Sequence, residues 1–491
     1  MSDDEESQTP SAEKKANLEP TISVNVISLG CNTGSGLFIG TGKALANGGP
    51  GNMILAYLAV CLGVWAHLQT LAEMTIAFPT SGNYIDCADR WVDPALAFGA
   101  GLAEWLGWTA VFVSEGTFFV VLVDYWAKGS MPEAALLSIF VAICLMVFLV
   151  PNQYFAWLQY FGSLVKVFLF IFNTLISLAI IGGAGPSGSV NDGSAWTDFP
   201  VFKNGFGGFA SAVLLAIRAI GDQIYIGVLG GEAKSPRHSM AHAANVVPWR
   251  VSVFYMVSVV LASVLLPSSD ERLLGGSGSA ASLFVIAVDD AGIKGVPDLI
   301  NACMIIVDEK GRPRWALLIT SVVGVILTYM SLSGKSLEVL NWQISIISAS
   351  FFINWAIVAF TSFRFRAAVK AQNAPIFSGT YSWESPLWPL APAGALVIST
   401  LLLVCLLYSS IESLGDTGFT AYNFFVNIIG ILVIVVPTAL YKIVLRTEWR
   451  DPAAADLVTG RRQLTPEEII LMDSHYSRPL WRRVGTYVKL W

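Results

Sequence analysis

Asn32, Thr33, Gly34, Ser35 and Gly36 interrupt an otherwise apolar run, VISLGCNTGSGLFIGTG, at 26–42. A helix broken in this way leaves backbone N–H groups without partners at the start of its second half. Such groups form a ready anion site. Within hydrocarbon, broken backbone is tolerated only where it lines a cavity or meets a ligand. A substrate carboxylate is one ligand of the right charge, and interrupted transporter helices use their N-termini for it. A glycine-rich helix-packing face is the other reading of the same residues.

Ionisable residues inside apolar runs are the second source of chemistry. Lys166 lies about 12 residues into YFAWLQYFGSLVKVFLFIFNTLISLAII, deep within a span. A buried lysine there marks a proton carrier or a substitute cation. Arg218 and Asp222 stand at i, i+4 in the run 206–232, which also carries Gly221, Gly227, Gly230 and Gly231. If that turn is helical, the two can pair, which lowers the cost of burying both. Glu115 lies deep in WLGWTAVFVSEGTFFVVLV, and Glu73 lies near a helix end in TLAEMTIAFPTSGNY. Glu73 is expected as a structural hydrogen-bond acceptor. Gly221 and Asp222 join residues 32–36 as expected substrate contacts, with Lys166 for proton coupling and Glu73, Glu115 and Arg218 as structural or gating groups.

Known catalytic sets are missing. His67, His238, His242 and His475 show no HExxH spacing, and His238 and His242 fall in the expected basic loop SPRHSMAHAANVVPWR. No GxxxxGK[ST] phosphate loop occurs, which argues against ATP-driven transport. The six cysteines form no CxxC pair and mostly lie in apolar runs, so they read as buried thiols. No enzyme activity, cofactor, metal or nucleic-acid partner is expected.

The elements that must position these residues are membrane helices. Of 491 residues, 54% are hydrophobic and 13% charged, against about 25% charged in soluble domains. Apolar runs near 24–45, 52–76, 97–126, 134–150, 154–182, 206–230 and 247–267 read as spans. Further runs lie at 296–307, 315–333, 337–361, 388–410 and 420–445. The fold class is therefore all-α and polytopic, with about 11–12 transmembrane helices. The piece at 296–307 is short. Its 12 residues make roughly 18 Å of helix against a core of about 30 Å. Two glycine-broken spans five apart point to an inverted-repeat transporter with its site at the repeat interface.

Basic residues sort the loops. Lys234, Arg237 and Arg250, then Lys310, Arg312 and Arg314, then Arg364, Arg366 and Lys370 fall in alternate loops, and the C-terminal tail adds more. By the positive-inside rule these loops and both termini are cytoplasmic. The expected divisions are a disordered tail at 1–23, a first repeat at 24–184, a second at 205–361, two helices at 388–445 and a tail at 446–491.

Several stretches then match a family in order along the chain. They are GCNTGSGLFIGTG, LAEMTIAFPTSGNYIDCADRWVDPALAFGAG, WTDFPVFKNGFGGF, GGEAKSPRHSMAHA with VPWRVSVFY, FVIAVDDAGIKGVPDLINA, and LEVLNWQISIISASFFINWAIVAFTSFRFRAAVKAQ. On these the chain resembles a fungal amino acid permease of the amino acid–polyamine–organocation (APC) superfamily. The resemblance implies five-plus-five inverted repeats with two extra helices and proton-coupled amino acid uptake, with the plasma membrane as the expected site. It implies that Gly34, Ser35 and Gly36 meet the substrate carboxylate. Lys166 matches a fifth-span lysine that stands where sodium sits in sodium-coupled carriers. Glu73 and Glu115 fall on acidic positions of the family pattern.

Departures accompany the match. The sixth span of such permeases reads like F-S-x-x-G-T-E, whereas this chain has AIRAIGDQIYIGVLGGE, with Ile224 in place of the glutamate unless Asp222 substitutes for it. The eighth span stops after INACMII. A non-transporting membrane sensor or defective paralogue that keeps the fold is the alternative reading.

Overall fold

The computed structural model describes residues 36–80, 82–150, 152–186, 188, 190–191, 193–221, 236–274, 282–293, 295–306, 323–330, 332, 336–379, 381–412, 419–477 and 479. All regular structure among them is helical. A π-helical turn, Gly36–Gly40, leads into α1 (Thr41–Ala77). Then come α2 (Asn83–Trp91), α3 (Pro94–Ala127), α4 (Glu133–Leu149), α5 (Asn152–Ile181) and α6 (Gly205–Ile220). The second half holds α7 (Pro236–Leu265), α8 (Leu283–Asp290), α9 (Val296–Ile306) and α10 (Ser336–Ala371). It ends with α11 (Leu390–Ile411), α12 (Ala421–Leu445) and α13 (Pro466–Tyr476). Seven of these helices are long and apolar enough to cross a bilayer, and α4 and α6 are shorter apolar helices.

Sequence chemistry sets the helix ends. Pro94 fits the first turn of α3 because its missing N–H would be unpaired there in any case. Asp93 caps that turn, accepting from the Ala95 N–H at 2.7 Å. α1 is two arms in one. Gly49 sits at φ +73° ahead of Pro50, so the chain reverses there. A Cβ at Gly49 would also lie 2.7 Å from the Pro200 carbonyl oxygen. The arms correspond to the expected spans 24–45 and 52–76.

Two boundaries differ from the sequence reading. α7 begins at Pro236, so His238 and His242 stand on a helix instead of a loop. α10 runs to Ala371, carrying Arg364, Arg366 and Lys370 on its last turns. Hydropathy marks where hydrocarbon ends, whereas a helix continues as long as its backbone and long charged side chains find partners. α2, α8 and α13 were not expected at all. α9 is described over Val296–Ile306, and residues 307–322, on which the expected stop of the eighth span falls, lie outside the described set.

α1 is the hub, packed against α6 and α7, while α10 packs along α3. Tyr57, Trp355, Tyr255 and Phe351 are fully buried around it. α12 presents Val435, Leu440 and Ile443 outward, as a lipid-facing helix should. The C-terminal segment folds back over one face. The Arg450 N–H donates to the Val92 carbonyl at 2.8 Å, and the Arg462 N–H to that of Ala77 at 3.2 Å. The Trp91 indole donates to the Asp456 carbonyl at 3.0 Å.

Candidate functional site

The π turn ahead of α1 lies against α6. A Cβ added to Gly36 would lie 2.7 Å from Ala219 Cα. The π turn therefore meets the last turn of α6 backbone to backbone. π-helical turns widen the backbone ring and recur at functional sites. Leu37, next in the turn, is buried, and the Thr41 hydroxyl donates to its carbonyl. Thr41 Oγ1 also lies 3.4 Å from the Tyr57 hydroxyl.

The last described turn of α6 carries the Ala219 carbonyl, with that of Gly221 just beyond it; residues 222–235 lie outside the described set. Two aromatic side chains from other helices donate to these carbonyls. Tyr255 Oη on α7 donates to the Ala219 carbonyl at 2.7 Å. Trp355 Nε1 on α10 donates to the Gly221 carbonyl at 3.3 Å. Each carbonyl keeps a second lone pair, so this end of α6 can accept from an ammonium group as well. Ser348 Oγ donates to the Leu214 carbonyl one turn earlier, at 3.2 Å.

An ionic cluster stands beside the crossing. Arg218 Nη2 lies 4.0 Å from Glu115 Oε1 on α3 and donates to Ser114 Oγ at 3.2 Å. The guanidinium also sits 4.7 Å from the centroid of the Phe118 ring. Lys43, on the first arm of α1, is within electrostatic reach of Arg218.

The expected site residues separate into three groups. Gly36, Gly221, Arg218 and Glu115 gather around the crossing. Glu73 belongs to a different cluster, where it accepts from Arg366 Nε at 2.8 Å, Arg366 Nη2 at 2.7 Å and the Ser385 N–H at 2.8 Å. Arg366 also bonds Glu384 at 2.8 Å. Lys166 is buried on α5, a helix that packs against α7, α8 and α9. Asn32, Thr33, Gly34, Ser35 and Asp222 lie outside the described residues, and with them the expected Arg218–Asp222 pair.

Sequence reading passed over several residues. Lys43 sits only three residues into α1 and looks like a helix-end lysine. Tyr255 and Trp355 look like ordinary apolar filling, because nothing local reveals which carbonyls they reach. Glu104 could have been found, being a carboxylate within an apolar span. It accepts from Tyr84 Oη at 2.8 Å, Trp108 Nε1 at 2.9 Å and Asn354 Nδ2 at 3.0 Å. His67 is fully buried and stacks on Trp355, with ring centroids 5.4 Å apart.

Similarity to known proteins agrees with this architecture. The chain is 27% identical to Amino-acid permease GAP5 of Candida albicans, over 96% of this chain and 82% of that protein. It is 25% identical to General amino-acid permease GAP1 of Saccharomyces cerevisiae, over 94% and 84%. A crystallised manganese transporter variant from Eremococcus coleocola matches at TM-score 0.50 and 14% identity, covering 86% of this chain and 93% of that one. That likeness concerns the fold, an all-α polytopic membrane transporter fold of inverted helix repeats. The family model described as amino acid permease matches residues 23–307 and 303–451. The chain belongs to the amino acid permease family.

Proposed function

We propose that this chain is a secondary active transporter that moves amino acids across the plasma membrane in symport with protons, with both termini cytoplasmic. The observation that carries the reading is the backbone crossing of Gly36 with Ala219. It brings the start of one half-helix against the end of another. A zwitterionic α-amino acid matches that geometry, since its carboxylate suits N–H groups at a helix start and its ammonium suits carbonyls at a helix end. In this reading Asn32, Thr33, Gly34, Ser35 and Gly36 hold the carboxylate, and the region of Gly221 and Asp222 holds the amine. Lys166 carries the coupling proton or stands as a fixed cation. Arg218 and Glu115 govern movement of α6 against α3.

Uptake of labelled amino acids by transport-deficient host cells tests the proposal. The intact chain should give uptake that a protonophore abolishes. Gly34→Val should remove uptake while leaving surface expression intact, because a β-branched side chain blocks backbone approach. Lys166→Ala should remove its pH dependence. Uptake that keeps its full rate in both variants contradicts the assigned roles. A variant carrying a full-length eighth span, run in parallel, separates loss of activity through that span from an error in the reading.

A further inference from the structure

A second cavity lies away from the crossing, between α3, α10, α11 and α12. It is a crevice of about 690 Å³. Its walls are apolar over most of their length, with Phe352 and Ile353 from α10, Leu396 and Leu403 from α11, and Ile434 and Val435 from α12. At one end the lining turns polar, where Asp93, Lys442 and Trp449 form the mouth. Val435 is 49% exposed, so the crevice opens outward on the side of α12 that a bilayer surrounds.

The dimensions suit one leaflet. Along α12 the lining runs from Ile431 to Lys442, about 16 Å of helix at 1.5 Å per residue. Half of a hydrocarbon core is about 15 Å. The polar end therefore falls at headgroup level and the apolar end near the midplane. Trp449 marks that level independently, since tryptophan concentrates at the membrane–water boundary. Tyr441, stacked on Phe98 at 4.6 Å, stands beside it.

The mouth pairs one lining cation, Lys442, with one lining carboxylate, Asp93. Lys442 Nζ donates to Asp93 and, at 2.7 Å, to the Thr447 carbonyl. An ammonium has three donors, so one remains. Lys442 Nζ and Arg364 Cζ lie 5.7 and 6.0 Å from the Trp449 ring centroid. Arg364 Nε is buried without a hydrogen-bond partner among the described residues. A phosphate oxygen is the complementary group, and an acyl chain is the complement of the walls.

We propose that this crevice binds one glycerophospholipid of the leaflet on the C-terminal side, with an acyl chain in the crevice and its phosphate at Lys442. The site is separate from the Gly36–Ala219 crossing and does not depend on which solute the protein carries. Occupancy fills the space between α12 and α10, so it should stabilise the packing of the last two spans on the bundle.

Native mass spectrometry of the purified full-length chain tests it, with delipidation followed by titration with phosphatidylserine, phosphatidylcholine or inorganic phosphate. One phospholipid should survive delipidation, and either phospholipid should raise Tm while inorganic phosphate should not. Val435→Trp, which fills the crevice, should cut lipid retention by about tenfold, because each buried methylene contributes to anchoring. Ala439→Trp carries the same test at a second lining position, should Val435→Trp misfold. A diazirine-bearing phosphatidylserine should cross-link to α11 or α12 peptides in the unaltered protein. Equal retention by the filled variants, stabilisation by phosphate alone, cross-links confined to other helices, or a crevice closed by a second copy in a lipid-free dimer would each overturn the proposal.

Discussion

Arg218 on α6 faces Glu115 on α3 across 4.0 Å, with both side chains largely buried. Arg218 stands on the last turn of α6, so this contact ties that turn to α3. Removing one partner of a buried pair costs up to about 3–5 kcal/mol, the limit reached where the other charge is left wholly uncompensated. Arg218→Ala and Glu115→Ala should each lower thermal stability in detergent. Arg218→Leu combined with Glu115→Ala should recover much of the loss. Strictly additive single effects would show that the two act separately.

At the crossing, Gly36→Ala should be costly for a steric reason distinct from any substrate contact. Its Cβ would stand 2.7 Å from a backbone atom of Ala219, and overpacking of that kind costs about 1–3 kcal/mol. Ala219→Gly removes the Ala219 Cβ, itself 2.8 Å from the added group, and should restore part of the stability. Thermal unfolding of the two single variants and the double variant checks this. Unchanged stability in Gly36→Ala would mean the two backbones are further apart than described.

Glu73 and Arg366 should act as a structural clasp between α1 and α10. The carboxylate is almost wholly buried and accepts from Arg366 Nε and Nη2 and from the Ser385 N–H. Glu73→Ala leaves the guanidinium paired with Glu384 and should destabilise by less than the about 3–5 kcal/mol of a wholly uncompensated buried charge. Arg366→Lys should recover little of what Arg366→Ala loses, because a lysine cannot reproduce the two-pronged bond. Melting curves of the three variants decide it. A lysine variant as stable as the parent would reduce the clasp to simple charge pairing.

Asp93 should make stability acid-sensitive. Burial pushes its carboxyl up, but hydrogen bonds from Lys442, Thr447 and the Ala95 N–H outweigh that and hold it below the usual carboxylate range. A depressed carboxylate stabilises the fold above its unfolded value, about 3.9. That contribution is lost as pH falls through the lower folded value. Asp93→Asn should be less stable at neutral pH and should lose less on acidification below about pH 4. Parallel acid titrations of the two proteins, followed by intrinsic fluorescence, check the sign. An equal acid loss in both would assign the sensitivity to other carboxylates.

Much of this architecture was legible in the sequence because hydrocarbon imposes a coarse rule. Runs such as 388–410 and 420–445 had to be spans, and α11 and α12 fall there. The interruption expected at residues 32–35 lies outside the described residues, while the close approach of Gly36 to Ala219 joins two elements whose glycines stood out within apolar runs. The reach of α10 past residue 361 could not, because Arg366 is held by Glu73, 293 positions away in sequence. The same limit hid Tyr255 and Trp355. Their partners are single carbonyls on α6, and no local pattern encodes a contact between helices. Arg218 showed the same thing in reverse. Its i, i+4 neighbour Asp222 lies outside the described residues, while Glu115, a described partner, comes from another helix.

The most direct test is transport by the purified chain in proteoliposomes, with the interior made alkaline relative to the bath. Labelled amino acids should accumulate above their outside concentration, and a protonophore should collapse the accumulation. Gly34→Val should fail to accumulate them despite correct insertion. Correctly inserted protein that neither binds nor accumulates any of the common amino acids, with the gradient intact, would contradict the account.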